Sequence, residues 1–502
     1  MTEYSLERAR KYEAEMEKQI PVGDRPAFHF TPRVGWTNDP NGFSYYDGKY
    51  HLFYQYNPYD VVWNSMHWGH AVSSDLLKWE YLPAALAPDK DYDSFGVFSG
   101  SAAALPTGEQ LLMYTGVRKD AKGQEFQVQC VAKGDGKDYE KFEKNPVIDS
   151  SVLPEGFDAA NFRDPKIWPT KEGFRCIAAA KDKDGLGALL LFESKDGFEW
   201  TYKGIADRND GTFGRMWECP DFFCLDGKAV VMVSPQDMQP KDLEFPNGNG
   251  TLVRIGSFSE ETCRFTPENC SAVDYGIDFY APQTLLAPDG RRIMIAWMQN
   301  WDTCNSMGYG PHKWFGQMCL PRELEIRGGR LIQRPVREFD ALRKEKVEYK
   351  NVALEGKTGE NGVITGAKAL EGVSGRCLDL ELEIKTGEGA EPCHVFEMVF
   401  AADSSHRTVL RYRPFEGTIE IDRRESGSCR GHMQQRSCRV ADRDGKLKLR
   451  VILDKFSAEV FVNGGEQVMT TAILTGEDAC DIRFGAVGSA CLDVTCYSIK
   501  RD

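Results

Sequence analysis

No stretch of this 502-residue chain approaches the roughly 18–20 consecutive apolar residues that cross a membrane, and no apolar leader core occupies its first 30 positions. None of the 15 cysteines forms a C-x-x-C pair, and their scattered, odd-numbered set matches neither zinc nor iron–sulfur spacing. Reduced thiols in a cytoplasm are the expectation, with no metal and no other cofactor. Positive charge is in deficit: 62 Lys and Arg face 76 Asp and Glu, for a net charge of −14. That excludes a nucleic-acid groove or an anionic membrane surface as the expected partner. A dinucleotide loop is missing too, since Gly185-Leu186-Gly187 lacks a following glycine and a βαβ setting.

Helical periodicity is also scarce. Leu6, Ala9, Met16 and Ile20 share one face of a short amphipathic helix over residues 5–20, interrupted by Glu13. Beyond it the pattern is strands. A turn followed by an apolar strand recurs five times: at Asp47-Gly48, Gly108-Glu109, Glu172-Gly173, Asp226-Gly227 and Asp289-Gly290, about 55–65 residues apart. A second repeat interleaves with it, Ser74-Asp75-Leu76-Leu77-Lys78-Trp79 being echoed by Lys195-Asp196-Gly197-Phe198-Glu199-Trp200. Repeated strand pairs without intervening helices predict an all-β chain opening on a five-bladed β-propeller. After Pro335 a charged connector leads to period-two alternation, as in Leu378-Asp379-Leu380-Glu381-Leu382, which predicts a C-terminal β-sandwich. The expected organisation is a helical extension over 1–27, a propeller over 28–335, a linker over 336–350 and a sandwich over 351–502.

Three short stretches carry the candidate chemistry. Trp36-Thr37-Asn38-Asp39-Pro40-Asn41-Gly42 presents a carboxylate on what reads as a stiff turn, beside an indole and two amides. Asn161-Phe162-Arg163-Asp164-Pro165 again places Asp before Pro, beside an Arg. Met216-Trp217-Glu218-Cys219-Pro220 sets Glu beside Trp. A flat apolar face, amides for orientation and a reactive carboxylate are what a sugar site needs. Corresponding places in successive blades converge at one end of the central channel, so the three carboxylates are expected to meet.

These stretches, in this order, resemble the signature motifs of glycoside hydrolase family 32. Gln55, Trp63, His67-Trp68-Gly69-His70, Phe98-Ser99-Gly100-Ser101, Tyr280-Ala281-Pro282 and Ala296-Trp297-Met298 extend the likeness, as does Asp422-Arg423-Arg424-Glu425 in the second domain. The resemblance implies the same propeller and sandwich. It implies a retaining hydrolase of terminal β-D-fructofuranosides, such as sucrose, sucrose 6-phosphate or short fructo-oligosaccharides, with Asp39 as nucleophile, Glu218 as general acid/base and Asp164 as stabiliser. Retention needs the two reacting carboxyls about 5–5.5 Å apart. Glu218 must hold a proton to donate it, which Trp217 and the neighbouring acids would favour, while Arg163 would keep Asp164 ionised. The resemblance also implies that Asn38, Gln55, Trp63, Phe98, Ser99, Arg163 and Trp297 bind the substrate. A fructosyltransferase would use the same carboxylates, and a non-catalytic fructan-binding propeller is the alternative of another class. A homodimer is left open.

Overall fold

The computed structural model describes residues 4–304, 312–359, 362–387, 391–427 and 433–500. Five sheets follow one another along the chain, each built from successive antiparallel strands, and form the five blades. Their innermost strands are Gly35–Tyr46, Gly96–Ala104, Phe157–Thr170, Trp217–Leu225 and Tyr280–Leu286. The five turns anticipated above join each inner strand to its neighbour. At Asp47-Gly48 and Asp226-Gly227 both residues take positive φ (45° and 77°, 48° and 78°), the geometry that matches a hairpin turn to strand twist. The second strands are largely buried and mostly apolar, as in Ala229–Val233, because blades pack against both of their faces. The interleaved repeat also has a physical basis. Asp75, Asp135 and Asp196 each accept two backbone N–H groups from the residues just after them, closing outer turns of the first three blades.

The ring closes where Trp314–Phe315 pairs in parallel with Gly35 and Trp36 of the first blade. The N-terminal helix, Leu6–Met16, clasps that blade. Glu13, which breaks its apolar stripe, is buried: it accepts the Ala84 N–H at 2.9 Å and faces Arg33 at 3.3 Å. Burial pushes its carboxyl up to about 7.

The expected connector over 336–350 is structured differently. Arg337–Leu342 is a 3-10 helix, and Arg343–Gly356 is already a strand of the second domain, paired with the last strand. Its many charges reflect a sheet edge open to water rather than a linker. The last strand, Asp481–Ile499, organises the sandwich. Its first part pairs with Val395–Ala402 and its later part with Leu378–Lys385, so one strand serves both sheets.

A buried charge network holds the two domains together. His29, from the start of the propeller, lies between Asp454 at 2.8 Å and Glu459 at 2.9 Å. Arg322 of the fifth blade bridges Glu459 at 2.6 Å and Asp274 at 2.9 Å. The same Asp454 carboxylate accepts backbone N–H groups of Ala27 and Phe28, and Glu459 accepts that of Leu320. The sandwich therefore grips both ends of the propeller chain. Among the described residues, no helix is long and apolar enough to cross a membrane.

Candidate active site

The local geometry that builds the site is a bulge repeated around the ring. In the first, third, fourth and fifth inner strands the pairing register slips at a residue followed by proline: Asp39, Asp164, Cys219 and Ala281. Proline brings no N–H to the ladder, so the strand must buckle there. In the second blade the slip falls between Phe98 and Gly100, at Ser99. Asp164, Cys219 and Ala281 have φ of 61°, 48° and 53°, a strained region for residues with a side chain, of the kind that collects at functional sites. The stretch 38–42, read from sequence as a tight turn, is thus a bulged segment of one continuous strand. Asp39 is accordingly buried, at 8% exposure.

The bulges bring side chains from separate blades into contact. Ser99 Oγ donates to Asp39 Oδ2 at 2.6 Å, and the Cys219 thiol lies 3.3 Å from the same oxygen. The Cys219 N–H donates to Asp164 Oδ2 at 2.9 Å. Asp39 Oδ1 is buried without a hydrogen-bond partner. Burial raises the Asp39 carboxyl above its ordinary value against the pull of the Ser99 hydroxyl, and nearby Glu218 adds to the rise.

Glu218 stands one residue before the position equivalent to Asp39 and Asp164, which Cys219 occupies. Both of its oxygens are held. Arg163 donates to Oε1 from Nη2 at 2.9 Å and from Nε at 3.3 Å, and the Tyr280 hydroxyl donates to Oε2 at 2.7 Å.

Two expectations change here. The Arg163 guanidinium donates to Glu218 from Nε and Nη2 and to the Asn161 side chain from Nη1, and its Nε is 3.8 Å from Asp164. Burial therefore outweighs Arg163 and pushes the Asp164 carboxyl up to about 7, with Glu218 and Asp39 raising it further. Trp217, expected to desolvate Glu218, points the other way: strand alternation sends it into the core, its indole N–H donating to the Phe213 carbonyl.

These groups line a cavity of about 780 Å³. Asn38, Asp39, Gln55, Trp63, Phe98, Ser99, Arg163, Asp164 and Glu218 all contribute to its wall. Asn38 accepts the Trp36 indole N–H at 2.9 Å, Gln55 donates to the Val97 carbonyl at 3.0 Å, and Trp63 meets Phe98 edge to face. Trp297 does not reach the wall. It is fully buried behind Trp36 and Trp301, with ring centroids 6.0 and 5.0 Å away. Trp301 takes the place at the cavity instead. The wall also holds Glu125, Gln127, Asn161, Gln236, Asp237 and Asn249, which sequence reading did not select. Asn249 lies in Pro246–Gly250, a run of turn residues, and nothing local distinguishes it. A larger cleft of about 930 Å³ lies elsewhere, on the outer edge of the third blade, where Arg175 and Lys203 are already paired to Glu193.

Carboxylates, carboxamides and aromatic faces gathered in the mouth of a propeller define a class of protein, the enzymes that act on sugars. The relatives narrow it. Residues 29–335 match the family described as Glycosyl hydrolases family 32 N-terminal domain, and residues 338–498 its C-terminal counterpart. A sucrose-6-phosphate hydrolase of Escherichia coli is 34% identical over 481 residues, covering 94% of both chains. A raffinose invertase of Escherichia coli is 36% identical over 476 residues, covering 93% of both. A Bombyx mori family 32 β-fructofuranosidase superposes with a TM-score of 0.82 at 32% identity, over 99% of this chain and 98% of that one, and a variant of it has been solved in complex with sucrose. This chain belongs to glycoside hydrolase family 32.

Proposed function

We propose that this enzyme is a retaining β-fructofuranosidase that removes the terminal fructosyl unit of sucrose and short fructosides, with Asp39 as nucleophile and Glu218 as acid/base. The observation that carries this reading is the meeting of the two groups in one cavity, with Asp39 Oδ1 buried and without a partner. In the first step the Asp39 carboxylate attacks the anomeric carbon while the bond to the leaving oxygen breaks and Glu218 protonates that oxygen. In the second, Glu218 takes a proton from water, whose oxygen displaces Asp39. The Ser99 hydroxyl, 2.6 Å from Asp39, stabilises the carboxylate that must attack. When Glu218 is protonated, the Tyr280 oxygen can accept its hydrogen bond, because the Tyr280 O–H has a second acceptor, the Ser234 carbonyl at 3.1 Å. Asp164, at the floor beside both, is suited to bind fructosyl hydroxyls.

Glu218→Gln is expected to lower fructose release from sucrose by about 10²–10⁴-fold, the usual worth of a general acid. Initial rates on purified protein decide it, and an unchanged rate would place the acid elsewhere.

The cavity wall also supports a preference for an uncharged leaving group. Beyond the three central carboxylates it presents Gln127, Asn161, Gln236 and Asn249, which suit hydroxyls, together with Glu125 and Asp237. Among the described lining residues Arg163 is the one cation, and Glu218 engages it. Lys119, nearby, pairs with Glu125 at 3.1 Å. A phosphate dianion would meet two carboxylates there. Sucrose should be cleaved with kcat/KM about tenfold above sucrose 6-phosphate, equivalent to about 1.4 kcal/mol. Greater efficiency on the phosphate would refute the preference.

A further inference from the structure

The wall of the cavity on the side of Glu218 is built from two pieces that cannot hold themselves. Asn249 ends the long connection after Lys228–Pro235, the strand paired with that of Glu218. Trp301 opens a helix of only four residues, Trp301–Cys304. An isolated helix of that length has no stability of its own, so its place is set by what grips it.

Two sets of contacts do so. Within the propeller, Asp302 Oδ2 accepts the Asn249 N–H at 2.7 Å and Oδ1 accepts its side-chain amide at 2.9 Å. Asn300 donates to the Asn249 carbonyl at 3.0 Å and accepts the Asp302 N–H at 2.9 Å. Asn249 is thus tied to both chain neighbours of Trp301. From behind, Thr303 Oγ1 lies 3.0 Å from Asp278 Oδ1, to which it donates, with the Asn300 carbonyl at 3.1 Å as a second acceptor. Asp278 lies in the connection between the fourth and fifth blades, and its Oδ2 accepts from Arg423 Nη1 and from the Ala472 N–H, the latter at 2.7 Å. Arg423 belongs to the sandwich strand Thr418–Glu425. Thr303, Asp278 and Arg423 are all buried, at 1%, 0% and 0% exposure, so water does not screen the chain of contacts.

We infer that Arg423 is a positioning residue for the leaving-group side of the site, acting through Asp278 and Thr303 on the helix that carries Trp301. This rests on the functional reading above, in which Glu218 faces the leaving group. The second domain then does more than cover the propeller: it fixes the pair of side chains, Trp301 and Asn249, against which the unit beyond the fructosyl ring packs. The reacting carboxylates are held by the bulges of the inner strands, and Trp301 reaches their side of the cavity only through the ring of Trp36, whose indole N–H holds Asn38.

The test compares two substrates. Sucrose has a glucosyl leaving group that reaches Trp301 and Asn249, whereas methyl β-D-fructofuranoside has one too small to do so. Thr303→Val removes the last link and leaves the buried Arg423–Asp278 pair intact. Arg423→Lys keeps the charge but loses the planar fork. Each should raise KM for sucrose by about fivefold to tenfold with kcat within about twofold, and leave kcat/KM for the methyl fructoside within about twofold of the parent. If Arg423→Lys fails to fold, Thr303→Val alone decides. Equal losses on both substrates, or unchanged kinetics with only a lowered melting temperature, would reduce the relay to a structural contact and overturn the inference. A parent enzyme that releases fructose from neither substrate would overturn the functional reading, and the relay with it.

Discussion

Replacing Asp39 with alanine is expected to abolish fructose release from sucrose while leaving the fold as stable as before, or more so. The loss of rate follows from the proposed chemistry. Without the carboxylate no covalent fructosyl intermediate forms, and Glu218 cannot compensate because it is committed to the leaving oxygen. Removing a nucleophile from a group of residues that act as a unit lowers kcat by about 10⁴-fold or more. The stability expectation comes from the electrostatics. Burial and the neighbouring Glu218 raise the Asp39 carboxyl above its ordinary value, so its ionised form is disfavoured in the folded chain relative to the unfolded one. At neutral pH the native state holds that charge at a cost, with Oδ1 unpartnered. Alanine relieves the cost, and Ser99, at the cavity, and the Cys219 thiol behind it lose only an acceptor. Active sites commonly trade stability for function in this way. Fructose release and thermal unfolding of the same preparation test both halves. A stable variant that kept its rate would remove Asp39 from the mechanism, and a variant that unfolded would make it a structural residue.

The second large effect is on stability and its pH dependence, at the junction of the two domains. Burial pulls the His29 imidazole down, but hydrogen bonds and charge from Asp454 and Glu459 outweigh it and bring the group up to about 9, from 6.5. A folded-state value raised above the unfolded one stabilises where the group is protonated in both states. The contribution, roughly 3 kcal/mol, is therefore fully present below about pH 6.5 and is lost as pH rises through 9. Arg322, on the far side of Glu459, stays charged throughout, and the Cys377 thiol near Asp454 is pushed up to about 12. Neither titrates in that window. His29→Gln leaves two buried carboxylates facing a neutral side chain, which should cost about 3–5 kcal/mol at pH 6.5. Melting temperatures of the parent and the variant at pH 6.5 and 9.5 provide the check. The parent should lose stability across that interval, and the variant should start lower and change less. Parallel curves would show that His29 is neutral in the folded protein and that the junction is not held by its charge.

Much of this architecture was legible before any coordinates, because it rests on local rules. Hairpin turns demand Gly and Asp where φ turns positive, and a strand packed on both faces demands apolar residues, so the repeat of five turn-and-strand units announced five blades. Period-two alternation announced the sandwich. Asp39, Asp164 and Glu218 stood out because each sits at or next to a residue before proline in the same part of its repeat.

What the sequence by itself determined, then, was the fold class, the family and the set of carboxylates that meet. Only the tertiary structure decided how they are held. That Arg163 engages Glu218 more closely than its sequence neighbour Asp164 depends on where two bulged strands come to rest. That Trp217 leaves the site depends on strand alternation, and that Trp301 lines the cavity in front of Trp297 depends on how a four-residue helix is held. The pairing of His29 with Asp454 and Glu459 spans more than 400 positions in the chain. Turn and strand patterns are set by neighbours along the chain and can be read from it. Partnerships between buried side chains are set by the packing of whole blades and domains, and no local pattern encodes them.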